Sequence, residues 1–207
     1  MKNNKKKLSV SSASDTQIKA SLRAWIRCAS AENVASGLAW YGEAQAFCQS
    51  LAKEFDLPAY ICASVVSMLS PNNKWERNKI DARAVIIAWK SGLGAESVKV
   101  CTYTTNKLKA FRALNEGERI ASSAPKTHAF AMNVGLLSSE HITIDKWHIR
   151  ACLVKPKDGV TDTVETVTAK QYRRIEAITA QIAKESGLKG YELQAIVWVA
   201  IKESWGR

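Results

Sequence analysis

The side chains of this 207-residue chain that are placed to do chemistry fall in three short segments. SMLSPNNKWERN sets Asn72, Asn73, Lys74 and Trp75 in a polar loop straight after an apolar run, and loops held by a rigid scaffold are where binding residues concentrate. SSAPKTHAFAMN is a turn of small residues opening into a helix, a place where backbone N–H groups meet an anion such as phosphate; it carries Lys126, Thr127 and His128. HITIDKWHIR brings a single acid, Asp145, to the start of a helix behind an extended apolar stretch, followed by Lys146, Trp147 and Arg150. A carboxylate there either caps the helix or serves as a base and charge stabiliser. Most other chemistries are excluded. The three histidines, His128, His141 and His148, form no H-E-x-x-H pair, and no P-loop, nucleophile elbow or dinucleotide fingerprint occurs. The five cysteines are odd in number, widely spaced and without C-x2-C spacing, so they read as small buried hydrophobes of a reducing cytosol. No metal and no cofactor are expected.

These segments need helices to hold them. Only 10 glycines and 4 prolines interrupt the chain, which favours helices over a turn-rich β architecture. Apolar spacing predicts a first helix capped by Asp15 with Ile18, Leu22, Trp25 and Ile26 on one stripe, and a second from about Leu38 to Phe55. Pro58 opens a third, buried on all sides and ended by Ser70-Pro71. Further helices are predicted up to Trp89, over Thr104–Leu114 and His128–Val134, from near Asp145, and in two closing segments carrying Ile175, Ile178 and Ile182, then Leu193, Ile196, Val197, Ala200 and Ile201. VTDTVETV is a weak strand at most. The predicted class is all-α with about nine helices. A basic arm over residues 1–13 is expected to be disordered.

Charge speaks to partners. Lys and Arg number 30 against 19 Asp and Glu, a net charge of +11 with a pI near 9.5. Four lysines lie in the opening MKNNKKK, yet the body stays basic without them. A polyanion is the first partner such a charge suggests, solubility alone the plainer reading. No apolar stretch is long enough to span a membrane, and the cations do not gather on one amphipathic helix, so nucleic acid is favoured over a membrane surface.

The order of the segments says more than any one of them. A buried helix ending in LSPNN, then TYTTNKLKAFRAL, APKTHAFAMNV, TIDKWHIRACLV and an apolar final helix resembles the helix-hairpin-helix DNA glycosylase superfamily, from roughly Tyr60 to Trp205. The resemblance implies two helical lobes around a cleft, residues 58–150 in one and 14–57 with 151–207 in the other. It implies a monomeric cytoplasmic protein that binds double-stranded DNA, flips out a damaged or modified base and hydrolyses its N-glycosidic bond. Asp145 then matches the catalytic aspartate and Arg150 the arginine of the family's V-D-T-H-x-x-R pattern, with Lys146 and Trp147 replacing threonine and histidine. Asn72, or Asn73, falls where the wedging side chain is expected, with Lys74, Lys126, Thr127, Lys146 and Arg150 on the DNA and Trp75 and Trp147 around the base. Ala124-Pro125-Lys126 stands where the family has a glycine-x-glycine turn. The Schiff-base lysine of strand-cleaving members would fall at Thr127 or His128, with Lys126 one or two residues away, so monofunctional and lyase chemistry both stay open. The four-cysteine cluster of iron–sulfur members is absent.

Plainer readings stand beside these: Trp75 and Tyr103 as core, His128 as a satisfied hairpin residue, Arg150 as a brace to a carboxylate. Two further functions share the residues. One is remodelling of a hypermodified pyrimidine on the same scaffold; the other is a DNA-binding module in which Asp145 is only a cap.

Overall fold

The computed structural model describes residues 7–117, 123–136, 138, 140–158 and 162–206. Among them the chain is all-helical: α1 (Asp15–Cys28), α2 (Ala31–Phe55), α3 (Ala59–Leu69), α4 (Trp75–Lys90), α5 (Thr104–Glu116), α6 (Pro125–Leu136), α7 (Lys146–Leu153), α8 (Ala169–Glu185) and α9 (Gly190–Ser204), with one 3₁₀ turn at Ala95–Ser97. Of the possible strand at VTDTVETV, a lone parallel bridge from Thr163 to Leu8 is present.

Local chemistry sets the ends. Ser14, not Asp15, caps α1: its hydroxyl accepts from the Gln17 N–H while the Gln17 side chain returns a bond to the Ser14 N–H. Asp15 instead meets the Arg174 guanidinium at 2.6 Å. Thr168 and Gln171 repeat the same box on α8. Gly117 ends α5 in the left-handed conformation (φ 63°), which a residue without Cβ takes at little cost.

The chain divides into two compact units, residues 1–41 with 139–207, and residues 42–138. The lobe boundaries expected at 58 and 150 therefore lie at 42 and 138, and α7, with Asp145, goes with the terminal segments.

In the terminal unit α1 packs on α7, α8 and α9 around Ile18, Leu22, Trp25, Ile144, Ile149, Ile175, Ile182, Leu193 and Ile201, all buried. Each such side chain contributes about 1.5–3 kcal/mol relative to exposure. Residues 7–13 correct the expectation of a disordered arm; residues 1–6 of that arm lie outside the described residues. Val10 is 2% exposed, Leu8 exchanges backbone hydrogen bonds with Asp162 and Val164, and Arg174 donates to the Val10 and Ala13 carbonyls.

α2 starts seven residues before its predicted start, and Gly37 lies in that added stretch. A Cβ there would stand 2.5 Å from the Ile196 Cα on α9, so the two helices touch backbone to backbone. Gly37→Ala is expected to cost about 1–3 kcal/mol, because the obstacle is main chain and cannot rotate away. Urea unfolding reads this; a variant as stable as wild type would mean that α2 and α9 separate freely.

In the central unit α3 packs on α4, α5 and α6, and Ile61, Cys62, Val65, Val66 and Leu69 are buried around its whole circumference. That burial explains the run ICASVVSML, which has no polar face. Cys48, Cys62 and Cys152 are buried, Cys28 and Cys101 exposed, and all five are free thiols.

Candidate functional site

The approach to Asp145 is built by Tyr172. Residues Ile142, Thr143 and Ile144 are buried and belong to no helix or strand among the described residues. The Tyr172 hydroxyl supplies two of their backbone groups with partners. It donates to the Ile142 carbonyl at 2.8 Å and accepts from the Ile144 N–H at 3.2 Å. Burial pushes the Tyr172 phenol up, so it stays a neutral donor.

Asp145 then caps α7, its Oδ1 accepting from the His148 N–H at 2.9 Å. Its Oδ2 accepts from the Trp198 indole N–H at 3.2 Å, so an N–H donor fixes each oxygen of this half-buried carboxylate. Trp198 continues into an aromatic group: Trp40 lies 5.9 Å away at 56°, Tyr41 meets Trp40 edge-on at 4.7 Å, and Tyr191 meets Tyr41 at 5.4 Å. The Tyr41 hydroxyl donates to Gln194 at 2.7 Å. Burial pushes the Tyr41 phenol up; the hydrogen bond with Thr143 opposes this, and the Asp145 charge adds to it. Lys202 places its ammonium 4.0 Å from the Trp198 ring centre. Trp40, Trp198 and Lys202 are half-buried, which leaves ring edges and faces at the surface beside the carboxylate.

Sequence reasoning missed Trp40, Tyr41, Trp198 and Lys202. A signal was there for the rings: Trp40 and Tyr41 extend the i, i+3, i+4 stripe of α2 backwards, and Trp198 falls off the apolar stripe of α9.

Behind Asp145 the expected residues divide. Lys146 is exposed, 5.8 Å from the Trp147 ring centre. Arg150 and Trp147, expected on the DNA and around the base, make contacts within the terminal unit. The Arg150 guanidinium lies 4.6 Å from the Trp147 ring and 4.9 Å from the Trp205 ring, and it pairs with Glu165. The two indoles meet edge-on at 5.7 Å. The guanidinium is thus stacked on two rings and held by a carboxylate through Nε and Nη2. This is the brace the plainer reading anticipated.

His148 is 0% exposed. Its Nε2 bonds to the Thr179 Oγ1 at 2.9 Å, and Nδ1 has no hydrogen-bond partner among the described residues. The Thr179 hydroxyl itself donates to the Ile175 carbonyl at 2.8 Å, so Nε2 carries the proton and Nδ1 is bare. Burial holds this imidazole neutral, down to about 4.

Asn72, Asn73, Lys74, Trp75, Lys126, Thr127 and His128 belong to the central unit. Asn72 is exposed in the left-handed region (φ 57°), where asparagine is the non-glycine residue best tolerated, and its amide donates to the Tyr103 hydroxyl at 2.5 Å. Tyr103 is corrected from core to surface, 59% exposed at the N-cap of α5. Asn73, expected on the DNA, is half-buried and bonds inward. Its amide donates to the Leu69 carbonyl at 3.3 Å and to the Asp81 Oδ2 at 2.9 Å, while its Oδ1 is buried without a partner. Lys74 is exposed at the N-cap of α4. Trp75, assigned to the base pocket, is half-buried and packs edge-on to Phe47 at 6.0 Å, with the Lys79 ammonium 5.7 Å from its ring. Lys126, Thr127 and His128 are half-buried in the first turn of α6, which opens on Pro125. The Thr127 carbonyl accepts from the buried Ser67 hydroxyl at 2.6 Å, so this turn is anchored to α3. His128 lines a small recess with Tyr60 and Ser64.

Among the described residues no three His, Cys, Asp or Glu side chains converge as a metal site. No helix among them is long and apolar enough to cross a membrane. No curated protein and no solved structure matches the chain. A family match does cover nearly its whole length: residues 3–205 place the chain in DUF7178, a family of unknown function.

Proposed function

We propose that this protein is a DNA N-glycosylase of the helix-hairpin-helix type, which flips a damaged or modified base out of the duplex and hydrolyses its N-glycosidic bond. The observation that carries the reading is the setting of Asp145. Two N–H donors, from His148 and Trp198, hold the two carboxylate oxygens, and the Trp40–Trp198 ring pair stands beside them.

Breaking an N-glycosidic bond leaves positive charge on the sugar ring, so a carboxylate held close to C1′ lowers the barrier without reorganising. The same oxygens orient or deprotonate the attacking water. A base taken out of the stack, at about a few kcal/mol, needs an aromatic surface to lie on, and half-exposed tryptophans offer one. The net charge of +11 supplies phosphate affinity that falls steeply with salt.

One observation favours a second reading. The Asp145 Oδ1 caps α7, which a non-catalytic DNA-binding module would also require. Incubation of the purified protein with duplexes carrying a broad panel of damaged and hypermodified bases, followed by mass spectrometry of nucleosides and free bases, separates the functions. Free base with an abasic site is the expected result. An altered base still attached to its sugar would assign base remodelling instead. No change across the panel, with Asp145→Asn binding DNA like wild type, would leave only the binding module.

A further inference from the structure

Two irregular segments of the terminal unit, 8–13 ahead of α1 and 155–158 after α7, are both fixed by polar contacts. The Arg174 guanidinium donates to the Val10 carbonyl at 2.8 Å, to the Ala13 carbonyl at 2.7 Å and to the Asp15 carboxylate at 2.7 Å. The buried Trp25 indole donates to the Val154 carbonyl at 2.7 Å. The turn that follows closes on itself: the Asp158 carboxylate accepts from the Lys155 N–H at 3.0 Å, and the Lys155 carbonyl accepts from the Asp158 N–H at 3.2 Å. Between these segments lies a cavity of about 300 Å³, at the lower end of the range of small-molecule sites. Every residue that lines it belongs to the terminal unit.

Ser21 and Cys152, 4% and 1% exposed, form its floor, and Ala13, Ala20 and Leu153 give it apolar walls. The Ser21 hydroxyl has no hydrogen-bond partner among the described residues. A buried hydroxyl that the fold itself leaves unbonded is rare, and this one lines the space. Ser12 and Thr16 bring further hydroxyls to the rim, where the exposed Lys155 and Asp158 add an ammonium and a carboxylate from one turn. This mixture decides among ligands. A hydrocarbon would leave Ser21 stranded against apolar surface. A polyphosphate would meet the Asp158 charge, and a divalent cation would find a single carboxylate. A free sugar would set hydroxyls against the alanine and leucine walls. A planar heterocycle has apolar faces for those walls and an edge of donors and acceptors for Ser21, while a sugar attached to it reaches the polar rim.

We propose that this cavity binds a free nucleoside, with the base between the apolar walls, its polar edge on Ser21 and the sugar at the rim beside Thr16 and Asp158. The site is separate from Asp145: Cys152 and Leu153 lie in the last turn of α7, whereas Asp145 caps its first. The assignment rests on the cavity and not on the glycosylase reading.

The test titrates the full chain with each common ribo- and deoxyribonucleoside, and with ribose alone, up to millimolar concentration. Calorimetry reads affinity, and the NMR signal of the Trp25 indole N–H, bonded to Val154 next to the cavity, reports the place. At least one nucleoside is expected to bind and move that signal, and ribose is not. Ala20→Leu fills the space and should abolish binding. Ser21→Ala should weaken binding about threefold to tenfold, the contribution of one neutral hydrogen bond. It should not lower stability to urea, because the hydroxyl has no partner in the free protein; a serine with a structural role would show the reverse. Asp145→Asn should bind the nucleoside like wild type. The proposal is overturned if no nucleoside binds, if ribose binds as tightly, or if Ala20→Leu or Ser21→Ala binds like wild type. It is overturned equally if Asp145→Asn abolishes binding, which would assign the nucleoside to the Asp145 site. Should Ala20→Leu fail to fold, Ser21→Ala decides alone. Base release without nucleoside binding removes this proposal only, whereas nucleoside binding without base release removes only the glycosylase reading.

Discussion

Asp145→Asn is expected to lower base release by about 10²–10⁴-fold while leaving the fold and DNA binding in place. The separation follows from what asparagine keeps. Asparagine caps a helix as well as aspartate does, so its Oδ1 continues to accept from the His148 N–H. The negative charge is lost, and so is one acceptor for the Trp198 N–H. That second loss costs about 1 kcal/mol, since the indole is half-buried and water reaches part of it. Affinity for DNA should hold or rise, because an anion leaves a basic surface. Asp145→Ser completes the comparison. Serine also caps but cannot reach Trp198 and carries no charge, so it should be equally inactive with a melting profile close to wild type. Rates from single-turnover base release decide the matter. If Asp145→Asn works at the wild-type rate, the carboxylate is a helix cap and nothing more.

The helices were legible because they rest on local signals. Stripes such as Ile18–Leu22–Trp25, the Ser70-Pro71 stop and the breaker at Gly117 each act within a turn or two of their own position. The start of α2 lies seven residues ahead of its expected start, and no local signal shows that the missing side chain at Gly37 is what lets α9 approach. Asp145 was found for the same local reason as the helices: capping is a contact between a residue and the third one after it. Its partners were not found, because Trp198 and Tyr41 reach it across more than fifty residues and no spacing rule links them. The partners of Arg150 were illegible for the same reason: Glu165 and Trp205 meet the guanidinium from elsewhere in the chain. Asp81 illustrates a third limit. An acid beside Arg77 and Lys79 reads as part of a solvated face, yet it falls on the same side of α4 as Asn78, Ala82 and Val85, all buried. Apolar periodicity passes over a polar residue even when that residue is as buried as its apolar neighbours.

The buried imidazole of His148 should make the protein unusually sensitive to mild acid. In the unfolded chain a histidine titrates near 6.5, whereas in the fold it is held down to about 4, because charging it would place an ion in a fully buried position with its Nε2 on the Thr179 hydroxyl. Between these two values the unfolded state binds a proton that the folded state does not, so stability rises with pH across the window and falls as pH drops from about 6.5 to 4. The full loss is about 3 kcal/mol, a large share of what a domain of this size commands. Glu185, held below its ordinary value by Arg23, begins to lose its contribution only as the pH approaches the carboxylate range, at the lower edge of this window. His148→Leu isolates the effect. It removes the titrating ring, leaves the Thr179 hydroxyl bonded to the Ile175 carbonyl, and should flatten the stability profile between pH 6.5 and 4 whatever it does to stability at pH 7. Urea unfolding at several pH values reads both curves. Because the His148 backbone N–H is the donor that the Asp145 carboxylate caps, the acid-weakened segment is the one that presents the carboxylate. Activity should therefore decline in the same window in wild type, and a wild-type profile that stays level down to pH 4.5 would show that His148 is reached by water and charges without cost.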